Sequence, residues 1–258
     1  MSDYYLKSPH RRYNRLDARS VRRRRQRWLL GVAAVAVVFI AYYVGSKPLL
    51  KGRTSTRHAS AADNQAVAVP FTVVNGTNLT LALPASKKEI LAIGYHQAYN
   101  PRALSLVSKM ALLTPATTSS VSRAASAGRL SVFVMESRGR GSRLDSSVDV
   151  ALKTGSAIMS PVTGRVLAVA PYLLYGRIND FRIDIAADGY PGFKIAVTHV
   201  DKPTVAVGQT MVAGATPLGI VRSLGINSQI DQYLGKVVDH VHIQANPIEA
   251  KPVAASGD

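Results

Sequence analysis

The chain of 258 residues contains no cysteine. This absence excludes a disulfide framework, a zinc site built from thiolates and a cysteine nucleophile. Acidic residues are also scarce, with 15 Asp and Glu against 32 Lys and Arg, which gives a formal net charge of +17. A charge this large is typical of proteins that bind nucleic acids or membrane surfaces. Hydrophobic residues make up 47% of the chain, enough for a packed core, so wholesale disorder is excluded.

The positive charge is concentrated in the first fifth of the chain. Residues 1–27 carry a net charge of +8 and residues 46–57 a net charge of +4, whereas residues 58–258 carry only +5. The 17 residues from Trp28 to Val44 between them have no charged side chain and would rise about 25 Å as a helix. That rise approaches the ~30 Å hydrocarbon core of a bilayer. The sequence therefore predicts a transmembrane signal anchor at residues 28–45.

The arginines before this segment predict its orientation in the bilayer. Basic residues favour the cytoplasmic side, so residues 1–27 are expected to form a cytoplasmic tail and the C-terminal part to lie outside the membrane. A cleavable signal peptide is the alternative, but the segment offers no clear cleavage site after its apolar run. Because topology accounts for the arginine run, a nucleic-acid partner is not expected.

Composition divides the rest of the chain into four parts. Residues 46–66 are small, polar and basic, and they predict a linker. Residues 67–135 form a β-rich extension of unknown role, residues 136–248 contain short β segments separated by Gly and Pro, and residues 249–258 predict a disordered tail.

Local patterns within these parts favour strands over helices. Asn75-Gly76 lies between two β-rich arms and predicts a hairpin. The Ser-, Thr- and Ala-rich residues 114–128 predict a loop. No long amphipathic helix is evident outside the anchor, so the fold class is predicted to be mostly β.

Histidines and aspartates in the C-terminal half of the chain form the clearest pattern of possible metal-binding or catalytic residues. His240 and His242 are two residues apart, so in a strand they project from the same face. Two imidazoles on one face suit metal binding and proton transfer. His199 ends another β segment. Asp145 and Asp149 are four residues apart, so in an extended chain their side chains would also project from one face.

Each of these residues also has a purely structural interpretation. A single histidine such as His199 is often a partly buried structural residue, and the H-x-H pair could face solvent. Asp145 could cap a turn. The order of the motifs along the chain is what favours a shared site.

In that order, residues 145–246 resemble the β core of the LytM-type, or lysostaphin-like, zinc metallopeptidases, which cut peptide cross-links of bacterial peptidoglycan. The resemblance covers about two fifths of the chain. Its parts are Asp149 in VDVAL, the turn and strand MSPVTGRVLAV, His199 after FKIAVT, the hairpin pattern VAVGQTMVAGATPLGIV, and the pair in DHVHIQ.

The resemblance implies a role for each matching residue. Asp149 and His242 correspond to zinc ligands, and His199 and His240 to the histidines that assist the attacking water and stabilise the transition state. The first ligand histidine of the family falls on Asp145. Two carboxylates on one zinc ion would weaken its Lewis acidity, so an altered zinc site or a lost one is expected. His96 is the only outside histidine candidate, and it is expected to be a structural residue at a loop or strand end.

The sequence thus predicts a protein of the bacterial cytoplasmic membrane that acts on or binds peptidoglycan or its peptide stems, with impaired or no hydrolysis. Its other expected partners are the lipid bilayer, through residues 28–45, and a cell-wall enzyme. The alternative is an active zinc endopeptidase with an Asp-Asp-His ligand set. A biotinyl or lipoyl carrier domain has a similar hairpin pattern, but no suitable lysine lies at a hairpin tip.

Overall fold

The computed structural model describes residues 68–248, which form thirteen strands, two short α-helices and one 3-10 turn. The N-terminal third contains β1 (Pro70–Val74), β2 (Thr80–Ala82), β3 (Ile90–His96), β4 (Leu106–Ser108), helix α1 (Thr118–Ser126) and β5 (Ser131–Val134). The remainder contains β6 (Ser147–Leu152), β7 (Ala157–Met159), β8 (Gly164–Leu174), β9 (Ile178–Ala187), β10 (Phe193–Asp201), β11 (Thr210–Met211), β12 (Pro217–Val221), helix α2 (Gln229–Leu234) and β13 (Asp239–Pro247).

Ten of the strands form one large sheet. Its main order is β11-β8-β9-β10-β13-β6-β3-β5, and β12 pairs with both β10 and β7. The pairing of β3 with β5 is parallel, and the other pairings in the sheet are antiparallel. A second, three-stranded sheet has the order β2-β1-β4. Residues 67–135 thus contribute β3 and β5 to the same sheet as the strands that follow.

Strand β6 lies inside the large sheet, between β13 and β3, and all six of its residues are buried. Its side chains alternate between two apolar clusters, because successive residues of a strand point to opposite faces. Val148 and Val150 belong to the main core, and Ala151 belongs to a smaller cluster with Phe133 and Ile230. Asp149 shares the face of Ala151, so the fold buries this carboxylate inside the protein.

The same alternation holds in the neighbouring strands β3 and β13. Ile93 of β3 and Val241 of β13 lie in the main core, on the face opposite the side chains of His96, Asp149 and His242. Full burial of such a side chain contributes about 1.5–3 kcal/mol. The apolar face therefore fixes the register that aligns the polar side chains on the other face.

Helix α1 corrects the expectation of a loop over residues 114–128. Thr117 caps the helix through a capping box, in which its side chain accepts a hydrogen bond from the backbone of Ser120 and the Ser120 hydroxyl accepts one from the backbone of Thr117. Val121 and Ala124 are buried on one face. Ser and Thr favour helix ends, so the composition that predicts a loop here builds a cap instead.

The mostly β fold is confirmed for residues 68–248, and Asn75-Gly76 lies in the turn of the β1–β2 hairpin, with Gly76 at a φ of 76°. No helix within this part of the chain is long and apolar enough to cross a membrane. The predicted anchor at residues 28–45, the basic tail before it, the linker and the C-terminal tail lie outside the described residues.

Candidate functional site

Three side chains from three adjacent strands meet on one face of the large sheet. They are His96 at the end of β3, Asp149 in β6 and His242 in β13. The strand register explains the meeting: His242 lies opposite Asp149, and His96 lies opposite Ser147, two residues from Asp149 on the same face.

The polar atoms of these three residues converge on one point. Nε2 of His96 lies 2.9 Å from Oδ1 of Asp149, and Nδ1 of His242 lies 2.8 Å from the same oxygen. One donor atom from each residue lies within 4.8 Å of the other two. Two imidazole nitrogens and one carboxylate oxygen are a donor set that suits zinc, and three protein ligands leave a position open for water or substrate.

The second nitrogen of each imidazole already has an acceptor. Nδ1 of His96 lies 3.0 Å from the backbone carbonyl of Gln97, and Nε2 of His242 lies 3.1 Å from Oε1 of Gln244. A carbonyl oxygen can only accept, so these nitrogens carry the ring proton. In the neutral rings, Nε2 of His96 and Nδ1 of His242 would then have a lone pair for a metal, which would replace the hydrogen bonds that these nitrogens form with the Asp149 carboxylate.

The electrostatics of Asp149 reflect this crowding of imidazoles. Burial alone would raise the pKa of its carboxyl group, but His96 and His240 stabilise the charged form, and so do the hydrogen bonds with His242 and His96. The net effect holds the pKa of Asp149 well below its ordinary value. The carboxylate is therefore ionised over the physiological pH range.

His240 and His199 lie beside this cluster. Nε2 of His240 is 3.8 Å from Oδ2 of Asp149, while its Nδ1 is buried without a hydrogen-bond partner within residues 68–248. The rings of His240 and His199 meet edge to face, with centroids 4.9 Å apart. All four histidines and Asp149 line one cavity of about 560 Å³.

His199 is held in an unusual backbone conformation. Its φ is +64°, in the left-handed region that costs a residue other than Gly about 1–3 kcal/mol. The pairing of β10 with β9 shifts register between Val197 and Val200, so a bulge surrounds His199. A bulge re-aims a side chain, and this one presents His199 to the cavity.

A buried carboxylate fixes the ring of His199. Nδ1 of His199 lies 2.7 Å from Oδ2 of Asp180, whose residue is 1% exposed. The hydroxyl of Tyr172 donates to the same oxygen at 2.5 Å, and the backbone N–H of Phe181 donates to the other oxygen at 2.8 Å. Burial alone would raise the pKa of Asp180, but these hydrogen bonds and the nearby His199 lower it.

The structure does not bring Asp145 into the cluster, although the resemblance assigns it a zinc-ligand position. Its carboxylate instead pairs with Arg143 at 3.2 Å. Residues 144 and 145 form a turn before β6, closed by a hydrogen bond of 3.1 Å from the Ser146 N–H to the Arg143 carbonyl. The extended chain assumed for the four-residue spacing ends at this turn, so Asp145 and Asp149 do not share a face.

The cavity thus contains four of the five residues that the sequence predicts for the site, and His96 lies with them, while the Asp180 carboxylate holds His199. Asp149, His199, His240 and His242 all meet at the cavity, as their order along the chain indicates. His96 was expected to be structural, and Asp180 carried no signal, because nothing in its local sequence marks a partner 19 residues away.

Comparisons with known proteins return only partial matches. No protein-family model matches the chain, and no curated protein matches it. Among solved structures, lysostaphin matches at 18% identity with a TM-score of 0.31, over 41% of this chain and 38% of that chain. LytU matches at 21% identity with a TM-score of 0.35, over 46% of this chain and 72% of that one.

A zinc-containing peptidase from Vibrio cholerae matches at 19% identity with a TM-score of 0.29, over 43% of this chain and 32% of that chain. Identities and TM-scores this low assign no activity to the chain. The chemistry of the site has to be derived from its own side chains.

The ring of His240 is expected to stay neutral at pH values where an ordinary histidine is protonated. Burial, with a smaller effect of the neighbouring His199 and His242, lowers the pKa of His240 to about 4 from an ordinary 6.5. The neutral ring therefore contributes fully to stability above pH 6.5, and this contribution is lost as the pH falls towards 4. NMR titration of the imidazole signals in the metal-free chain should give His240 a midpoint near 4.

The same titration in concentrated urea is the control, because the unfolded ring should return to its ordinary value. A folded-state midpoint at the ordinary value would contradict the burial of His240.

Proposed function

We propose that residues 68–248 form a zinc metallopeptidase domain that cleaves the peptide cross-links of peptidoglycan, with His96, Asp149 and His242 as the metal ligands. The observation that carries the proposal is the convergence of their three donor atoms within 4.8 Å, beside the two histidines of the same cavity. The order of the sequence motifs, which resembles LytM-type peptidases, supports peptidoglycan as the substrate.

The ligand set proposed here differs from the one expected from the sequence. Impaired hydrolysis was expected because Asp145 would put a second carboxylate on the ion. His96 supplies a neutral imidazole instead, so the proposed site has one carboxylate and two imidazoles. That reason for expecting a degenerate enzyme no longer applies, and we propose an active one.

Zinc held by these three residues would act as a Lewis acid towards a peptide carbonyl and would lower the pKa of water to about 7. The chain's own groups then manage the proton. Asp180 holds the Nδ1–H of His199, which leaves Nε2 of that ring free to accept a proton from the attacking water. When His199 becomes an imidazolium, the buried Asp180 carboxylate stabilises its charge.

His240 has a different role in this proposal. The low pKa of about 4 keeps its ring neutral, so it cannot compete with His199 for the proton. A neutral ring with Nε2 directed towards Asp149 can donate a hydrogen bond to oxygen atoms that gather negative charge during the reaction. The two histidines therefore divide proton transfer and charge stabilisation between them.

Replacement of His96 tests the ligand set. His96→Ala should lower zinc affinity at least about a hundredfold and abolish hydrolysis of purified peptidoglycan, because a direct ligand is lost. The matched variant Asp145→Ala should keep both zinc and turnover. Zinc content by mass spectrometry and release of soluble muropeptides are the measurements, with thermal unfolding as the control for folding.

If His96→Ala keeps stoichiometric zinc and turnover, or if Asp145→Ala loses both, the proposed ligand set is wrong.

Asp180→Asn tests the positioning of His199. An amide can donate to Nδ1 and so favours the wrong tautomer, which should reduce kcat about 10²- to 10⁴-fold while KM and zinc content stay near wild type. The exposed Asp188→Asn variant on the neighbouring turn should leave kcat unchanged. The ¹⁵N signals of His199 report the tautomer directly, which a merely structural role of Asp180 would not alter. A kcat within threefold of wild type in Asp180→Asn would rule out this role.

We also propose that residues 28–45 anchor the chain in the cytoplasmic membrane, with the peptidase domain outside. The charge asymmetry of residues 1–27 supports this orientation. Alkaline phosphatase joined after residue 66 should be active in bacterial cells, and deletion of residues 28–45 should abolish that activity. Equal phosphatase activity with and without these residues would contradict the proposed anchor.

A further inference from the structure

Two arginines on one loop line the same cavity as the histidine cluster. Arg138 and Arg140 belong to the loop between β5 and β6, and they are separated by Gly139 at a φ of 68°. Neither guanidinium forms an ion pair with a carboxylate within residues 68–248, whereas Arg182 on another wall pairs with Asp184 at 2.6 Å. The cavity thus has two positive charges that the described part of the chain does not neutralise.

The backbone of this loop is fixed by the buried side chain of Gln97. Its Oε1 accepts a hydrogen bond of 2.6 Å from the Arg138 N–H and one of 3.1 Å from the Ser137 hydroxyl. Its Nε2 donates to the carbonyl of Ser142 at 2.8 Å. Because Gln97 directly follows His96, the arginines are held at a set position relative to the candidate metal site.

The positive charges of Arg138 and Arg140 repel each other. Arg140 is half-buried, and burial followed by the repulsion from Arg138 lowers the pKa of its guanidinium, while Asp149 and Tyr175 act in the opposite direction. Its Nη1 group donates a hydrogen bond of 3.1 Å to the backbone carbonyl of Gln97, a neutral acceptor. Like charges that are close together and partly desolvated are costly, and a bound anion would relieve that cost.

Two tyrosines give the same part of the cavity an apolar surface. Tyr99 is 87% exposed and Tyr175 is 66% exposed, and both line the cavity and lie near enough to Arg140 to influence its pKa. Exposed aromatic rings beside unpaired guanidinium groups suit a ligand with an apolar or backbone portion and an anionic end. A peptide with a free carboxylate has both.

We propose that Arg138 and Arg140 bind a carboxylate of the substrate peptide and select peptides that carry a free carboxylate beside the bond to be cleaved. This inference names the substrate class of the proposed peptidase site and rests on that proposal. The guanidinium forks match the two oxygens of a carboxylate, and both arginines line the cavity that also contains Asp149.

The experiment compares one pair of ligands. Cross-linked muropeptides purified from peptidoglycan are used either with free carboxylates or after conversion of those groups to amides with ammonia and a carbodiimide. Binding is measured by calorimetry on the zinc-loaded full chain with His199→Ala to prevent turnover. Hydrolysis of both ligands is measured in parallel on the wild-type chain.

The free carboxylate ligand should bind about ten- to a hundredfold more tightly than its amide. The double variant Arg138→Gln/Arg140→Gln should bind both ligands equally and as weakly as the amide. Arg138→Lys/Arg140→Lys should keep part of the preference, since the charges remain. Arg123→Gln/Arg129→Gln, which removes two exposed arginines outside the cavity, should keep all of it.

Equal binding of the two ligands by the chain that keeps both arginines would overturn the inference. So would a carboxylate preference that persists in Arg138→Gln/Arg140→Gln. Failure of either proposal alone can be recognised. A carboxylate preference in binding without hydrolysis of either ligand would contradict the peptidase proposal only. Hydrolysis with equal binding would contradict the arginine proposal only.

Discussion

The buried carboxylate of Asp149 is the group on which the site depends. A carboxylate with 5% of its residue surface exposed is stable only if other groups stabilise its charge. Here imidazoles from the two neighbouring strands supply that stabilisation, with His96 on one side and His242 on the other. The position of Asp149 in the interior strand β6 therefore requires both partners and brings them to one point.

Strand register connects this electrostatic requirement to the hydrophobic core. Val148 and Val150 flank Asp149 in sequence and pack into the main core on the opposite face. A slip of one residue would move these valines onto the face of the histidine cluster and bury the neighbouring polar side chains in the main core without partners. The same apolar packing that stabilises the sheet thus sets the distances between the histidine and aspartate side chains.

The backbone departs from regular strand geometry at one of the candidate catalytic residues. His199 has a positive φ within a bulge, and the strain of about 1–3 kcal/mol is offset by its bond to the buried Asp180. His240 stays in regular strand geometry and is buried, which keeps it neutral. Backbone conformation and burial therefore give two neighbouring imidazoles different properties.

Short-range sequence patterns predicted the features of the site that depend on residues close together in the chain. The H-x-H spacing placed His240 and His242 on one face, and the motif order indicated that Asp149 and His199 would join them. His96 was missed because it is 53 residues from Asp149 in sequence and is brought close by the pairing of β3 with β6, which no spacing rule describes. Asp145 was misplaced because a turn at residues 144 and 145 interrupts the assumed strand.

The proposed ligand set also explains why β3 belongs to the functional part of the chain. His96 ends β3 and is followed at once by Gln97, whose side chain holds the arginine loop, so β3 connects the histidine cluster to that loop. Under these two proposals, the residues before 136 would supply one metal ligand and would help to position the arginine loop.

The most direct measurement is anomalous diffraction at the zinc absorption edge from crystals of the zinc-loaded protein. We expect one zinc peak, coordinated by Nε2 of His96, Oδ1 of Asp149 and Nδ1 of His242. A peak coordinated by Asp145 instead of His96, or no peak between these three residues, would contradict it.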